Sequence, residues 1–190
     1  MLKILVTPNS KLLEKSREVT KFDRKLAKEI SEMKKSLDAA SDPIGVGLAA
    51  PQVGLLKRIF LAKPKDKILV FINPKILESS GEAIPEFVNS PKIEAKKPKK
   101  SQKKLLEGCL SIPNIWGNVA RKKEIKLKYQ DEKGNIHIEK IKGFLAVIIQ
   151  HELDHLDGAL FTKHVMTQGE QLYRSYKNEK GEDEFEEIEI

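Results

Sequence analysis

The chain carries one cysteine, Cys109, in 190 residues. An internal disulfide is therefore excluded, and a lone thiol suits a reducing compartment and stays available for chemistry. Long apolar runs are missing as well. No stretch approaches the ~18 consecutive apolar residues of a bilayer span. The opening Met1-Leu2-Lys3-Ile4-Leu5-Val6-Thr7-Pro8 is too short in its apolar part for a signal peptide and lacks a small-residue cleavage site. These absences predict a cytoplasmic protein with no membrane attachment. Aromatic residues are only 6% of the chain.

Charge is plentiful, and its distribution says more than its net value of +7. Between Lys92 and Lys104 stand seven lysines against Glu94, a local net of +6. From Glu179 to the end, seven acidic side chains face Lys180, a local net of −6. Both read first as a solvated loop and a solvated tail. The sharper reading of the lysine run is a weak, transient attraction to ribosomal RNA. It has no interleaved aromatics, and specific DNA binding is not expected.

Phe22, Leu26, Ile30, Met33 and Leu37 recur at helical spacing, with Thr20 and Asp23 as N-cap and first-turn acid, and predict an amphipathic helix over residues 20 to 40. The glycine-rich stretch from Gly45 to Gly54 that follows lets something approach its backbone. Residues 58–62 and 67–73 read as strands, the second ended by Asn73-Pro74. Residues 79–105, with Pro85, Pro91, Pro98 and the lysine run, read as an insertion. Residues 109–113, 124–130 and 135–142 read as strands, the last two joined by a turn at Asp131-Glu132-Lys133-Gly134. Phe144, Leu145, Val147, Ile148 and Ile149 make the next helix apolar almost all round, so it sits in the centre, stopped by Gly158. Segments 172–176 and 185–190 could close a terminal hairpin. The expected fold class is α+β: antiparallel strands around a central helix, with the N-terminal helix outside.

On that central helix Gln150-His151-Glu152-Leu153-Asp154-His155 places two imidazoles at i and i+4, on one face, with a carboxylate beside the first. Two unpaired imidazoles in a buried helix are costly, and a shared metal ion removes that cost. Catalytic zinc-type sites use three protein ligands and leave one position for water, so the third ligand discriminates. One protease class needs histidine where Phe161 stands; another takes a downstream glutamate, for which Glu170 or Glu179 could serve. The remaining candidate is Cys109.

Three segments, Gly45-Val46-Gly47-Leu48-Ala49-Ala50-Pro51-Gln52, Glu107-Gly108-Cys109-Leu110-Ser111 and Gln150-His151-Glu152-Leu153-Asp154-His155, together resemble the three signature motifs of the peptide deformylase family. The resemblance covers residues 1 to about 165. It implies a metal-dependent hydrolase that removes the formyl group from the N-terminal formyl-methionine of nascent polypeptides and releases formate. It further implies Cys109, His151 and His155 as ligands of one divalent ion, Fe²⁺ natively with Zn²⁺, Ni²⁺ or Co²⁺ able to replace it. Glu152 is then the proton shuttle, and Gln52 and the Leu110 N–H donate to the formyl oxygen. Val46, Gly47, Gly108, Phe144, Val147 and Ile148 would receive the peptide and its methionine side chain. Residues 1–168 would form the catalytic domain, with 169–190 an acidic appendage able to pair on a sheet edge or with a second molecule. The competing readings are a zinc protease and a non-catalytic module that holds a structural metal or captures peptide N-termini.

Overall fold

The computed structural model describes residues 1–41, 43–83 and 106–189. Its elements are α1 (Arg24–Asp38), β1 (Gly47–Ala49), β2 (Ile59–Ala62), β3 (Leu69–Ala83), β4 (Glu107–Cys109), β5 (Ile112–Gly117), β6 (Arg121–Gln130), β7 (Ile136–Lys142), α2 (Gly143–Leu156), α3 (Phe161–Thr167), β8 (Leu172–Lys177) and β9 (Asp183–Glu187). The strands form two antiparallel sheets, ordered β1-β2-β3-β6-β7 and β4-β5-β8-β9. This is the expected α+β class.

The apolar run Ile59-Phe60-Leu61-Ala62 shows why the layers stack as they do. Successive side chains of a strand point to opposite faces. Phe60 and Ala62 join Ala146, Ile149, Leu153 and Leu156 of α2, whereas Ile59 and Leu61 join Leu26, Ile30, Met33 and Leu37 of α1. Strand β2 is thus buried on both faces, and α2 lies inside while α1 caps the outside.

Several expectations are corrected. Helix α1 starts after Asp23, whose side chain caps it by accepting from the Leu26 N–H at 2.9 Å. Thr20 is not the cap, and Phe22 lies before the helix, against Gly134. Asn73-Pro74 does not end its strand. The ladder shifts register between Ile72 and Lys75, with Asn73 at a φ of 50°, and then continues to Ala83 opposite Arg121. A bulge is where a strand tolerates proline. The Asn73 side chain secures it, accepting from the Val19 N–H and donating to the Val19 carbonyl, both at 2.8 Å. Residues 79–83 therefore belong to β3, while the three prolines and the lysine run of the expected insertion fall outside the described residues. The expected strand at 109–113 is a tight corner, with Cys109 paired to Ile112 across Leu110-Ser111.

Helix α2 stops as expected, with Gly158 at a φ of 72°, where a side chain would collide with the Leu13 carbonyl. Helix α3 was not foreseen. It begins at Phe161, which joins Cys109, Ile112, Val119 and Val165 in a third apolar cluster. The terminal hairpin is present as β8 and β9.

Candidate active site

Two layers contribute to the site. Helix α2 turns His151, Glu152 and His155 to one side, and the corner between β4 and β5 presents Cys109. Nε2 of His155 lies 3.2 Å from the Cys109 sulfur. The ligand atoms of Cys109, His151 and His155 all fall within 4.8 Å of one another, and all three residues are buried. Among the described residues this is the one such group; Glu170 and Glu179, the protease-type alternatives, are not in it.

The His151 ring is oriented from behind. Nδ1 of His151 faces Glu107 Oε1 at 2.5 Å, which leaves Nε2 as that ring's ligand atom. Glu107 is held in turn by Arg121, whose Nε and Nη2 donate to its two oxygens at 3.0 and 2.6 Å, while Nη1 donates to Asp154 at 2.6 Å. A two-pronged guanidinium–carboxylate pair fixes direction as well as charge. Burial alone would push the Glu107 carboxyl up, but the charges of Arg121 and His151 outweigh it and hold it at about 2.

The same surroundings treat the other groups differently. Burial raises Glu152 to about 7, with the charges of Glu107 and Asp154 adding to the rise against the opposing charge of His151. His155 is pushed well below its ordinary value by burial and by the charge on His151. His151 rises despite burial, because Glu107 and the Cys109 contact favour positive charge there.

These observations fit a cation. One sulfur and two imidazoles meet in a buried space, and sulfur with imidazole is a donor set for borderline transition metals. Oε2 of Glu152 and Nδ1 of His155 are buried without a hydrogen-bond partner. Buried polar atoms are rarely left so, and a ligand or solvent at the centre is what the Glu152 oxygen awaits.

The amide of Gln52 is aimed by its own carbonyl end. Oε1 accepts from the Ala49 N–H at 2.7 Å, and Nε2 reaches Ser111 Oγ at 3.1 Å and the Cys109 sulfur at 3.5 Å. Leu110 occupies the corner immediately after Cys109. Gly47 is explained by a neighbour: a side chain there would collide with the Glu152 carboxylate. Likewise a side chain at Gly108 would run into the Trp116 ring. Strands β1 and β4 are each the terminal strand of a sheet. Val147 and Ile148 are buried, and Val46 and Phe144 are half-buried against the cluster that contains Ile148.

The sequence reading missed Arg121, Asp154 and Ser111, and assigned Glu107 no function of its own. A buried arginine leaves little trace in the three consecutive cations Arg121-Lys122-Lys123. Its partners are distant in sequence, so no local spacing reveals them.

The family model described as polypeptide deformylase matches residues 1–171. Peptide deformylase 1 of Bacillus subtilis (strain 168) is 38% identical over 167 residues, covering 86% of this chain and 90% of the relative. The crystal structure of peptide deformylase from Thermotoga maritima superposes with a TM-score of 0.69 at 35% identity, covering 86% of this chain and 97% of that one. A peptide deformylase from Synechococcus elongatus, solved in complex with actinonin, superposes at 0.68 with 30% identity, covering 88% and 86%. The chain belongs to the peptide deformylase family, metal-dependent hydrolases that remove the formyl group from the N-terminal methionine of polypeptides.

Proposed function

We propose that Cys109, His151 and His155 hold the metal ion of this deformylase and that Glu152 carries the proton between water and the leaving amine. The observation that carries this is the meeting of one sulfur and two rings, that of His151 oriented by Glu107, beside a buried carboxylate oxygen with no partner. When bound, the ion polarises the formyl carbonyl and makes water nucleophilic near neutral pH. Glu152 directly follows His151 and has a buried oxygen with no partner, so it is placed to take a proton and give it up. The amide of Gln52, aimed by Ala49, and the backbone N–H of Leu110 would donate to the oxygen that gains charge as the carbonyl becomes tetrahedral.

The peptide would lie extended between the outer edges of β1 and β4, which no described strand pairs, near Val46, Gly47 and Gly108. Its methionine side chain would enter the apolar surroundings of Val46, Phe144, Val147 and Ile148. The catalytic unit would be residues 1–168, a boundary supported by the family match ending at residue 171. Fe²⁺ is the proposed native ion, with Zn²⁺, Ni²⁺ and Co²⁺ accommodated by the same sulfur and nitrogen donors. No described helix is long and apolar enough to cross a membrane. The location proposed is cytoplasmic, where the lysine run would meet ribosomal RNA transiently.

Anaerobic purification followed by metal analysis, with formate release from formyl-Met-Ala measured on the same sample, tests the reading. One equivalent of ion and formate production are expected. Cys109→Ser should retain far less metal, since an alcohol is a poor substitute for a thiolate. Undiminished metal stoichiometry in that variant would require a different third ligand.

A further inference from the structure

Helix α1 covers only part of the outer face of the five-stranded sheet, lying over Leu48, Ile59, Leu61 and Ile72. Among the described residues no helix covers the same face of β6, of β7 or of β3 beyond its bulge at Asn73-Pro74. The ladders say what stands there. Because Ile125, Leu127 and Ile141 point into the core, the alternate positions point outward. Lys128 lies between Lys75 and Ile138, Lys126 between Glu78 and Lys140, and Glu124 between Ser80 and Lys142.

Two of those pairings set lysine directly opposite lysine on adjacent strands, Lys75 against Lys128 and Lys126 against Lys140. Like charges so placed destabilise a sheet. Lys126 is compensated by Glu78 at 2.7 Å, and Lys142 by Glu124 at 2.8 Å. No carboxylate among the described residues lies within ion-pair distance of Lys75, Lys128 or Lys140. Glu78 and Glu124 act on Lys140 at longer range, and an external anion would offset the remaining positive charge, above all at the Lys75–Lys128 pair.

We propose that this face is a docking surface for RNA, with Lys75, Lys128 and Lys140 as its principal phosphate contacts and Lys126 and Lys142 at its margin. Alternate residues along a strand stand about 6.7 Å apart and neighbouring strands about 4.8 Å apart, so the face is an open grid of point charges, suited to a phosphodiester backbone. Its exposed apolar side chains on β7 are Ile136 and Ile138 at the sheet edge, too little to anchor in a bilayer. Helix α2 and its catalytic side chains lie behind the sheet, so docked RNA leaves the cleft open. None of its lysines belongs to the run at 92–104, and the proposal goes beyond the deformylase activity without depending on it.

The test uses the full-length, metal-loaded protein and a fluorescein-labelled oligouridylate, with anisotropy titrations over a salt series. The triple variant Lys75→Gln/Lys128→Gln/Lys140→Gln should bind at least tenfold more weakly at low salt. Its slope of log affinity against log salt should be shallower by about 2, the value for three lost phosphate contacts on a single strand. Its formate release from formyl-Met-Ala should equal the parent's, which separates this surface from the catalytic reading. Lys128→Gln alone, the mildest change, should lower the slope by about 0.7. Unchanged affinity and slope in both variants, with binding lost only when the lysines of 92–104 are replaced, would overturn the proposal. So would a stronger, equally lysine-dependent association with phosphatidylglycerol vesicles than with the oligonucleotide.

Discussion

Strand β2 is buried at all four of its positions and β9 at none. The contrast extends to the sheets they belong to. The five-stranded sheet is gripped by α2 on one face and, over β1 to β3, by α1 on the other. Each large apolar side chain buried there contributes roughly 1.5–3 kcal/mol. The four-stranded sheet has a small apolar cluster around Cys109 at its β4 side. Beyond that cluster it relies on its ladder, on the Trp116 indole donating to Ser175 at 3.0 Å and on an edge contact between Trp116 and Phe185. Two of the proposed metal ligands stand on the helix locked into the thick layer, and the third stands at the margin of the thin one. Stability is concentrated in one layer, and the sulfur comes from the other.

That division predicts a ranking. Glu152→Ala should lower formate release by roughly 10²–10⁴-fold while metal content and unfolding midpoint stay near the parent's, because the task proposed for this side chain is proton transfer. A variant that turned over at near-normal rate would remove Glu152 from the proton path. Next in size is Phe60→Ala, in the doubly covered strand, which should cost roughly 3–5 kcal/mol of stability in urea titration. A loss below about 1 kcal/mol would show that the thick layer is not where stability resides.

Glu107→Gln keeps the shape and removes the charge behind His151. Metal affinity should fall about 10–100-fold, read by competition with a chelator. The variant also isolates a pH effect. A carboxyl held at about 2 contributes stability that is present above its ordinary value near 4.5 and is lost as pH falls toward 2. The parent should therefore lose more stability than Glu107→Gln between those values.

The smallest effect should come from ending the chain at Gln168, which deletes β8 and β9. A fall of a few degrees in Tm, of the order of 1–2 kcal/mol, with metal content and turnover intact, is expected. Loss of metal would mean that the thin sheet's far strands hold Cys109 in place. Sedimentation of the same protein tests whether β9 pairs with a second molecule; an unchanged oligomeric state rules that out.

The periodic parts of the fold were legible before the structure. The apolar helix through Phe144 to Ile149, its stop at Gly158 and the β6–β7 hairpin all follow from local spacing and turn chemistry. Cys109, His151 and His155, expected from motif resemblance, do converge. Three kinds of information were not legible. Helix α3 spans seven residues, too few to show a period, and Phe161 was weighed only as a place where a ligand failed to appear. Asn73-Pro74 carries the signature of a strand end. Only the tertiary contact with Val19 turns it into a bulge that lets β3 run on. The Glu107–Arg121 pair joins strands on different sheets, and Gly47 yields space to a carboxylate more than a hundred positions away. Such requirements are written in three dimensions and leave no neighbouring residue to betray them.

Because the sulfur and the imidazoles come from separate layers, an ion held by all three would act as a rivet between them. Its departure would be felt first as loosening of the corner at Leu110-Ser111, before any melting of the helix, so amide exchange there is a gauge of cation occupancy.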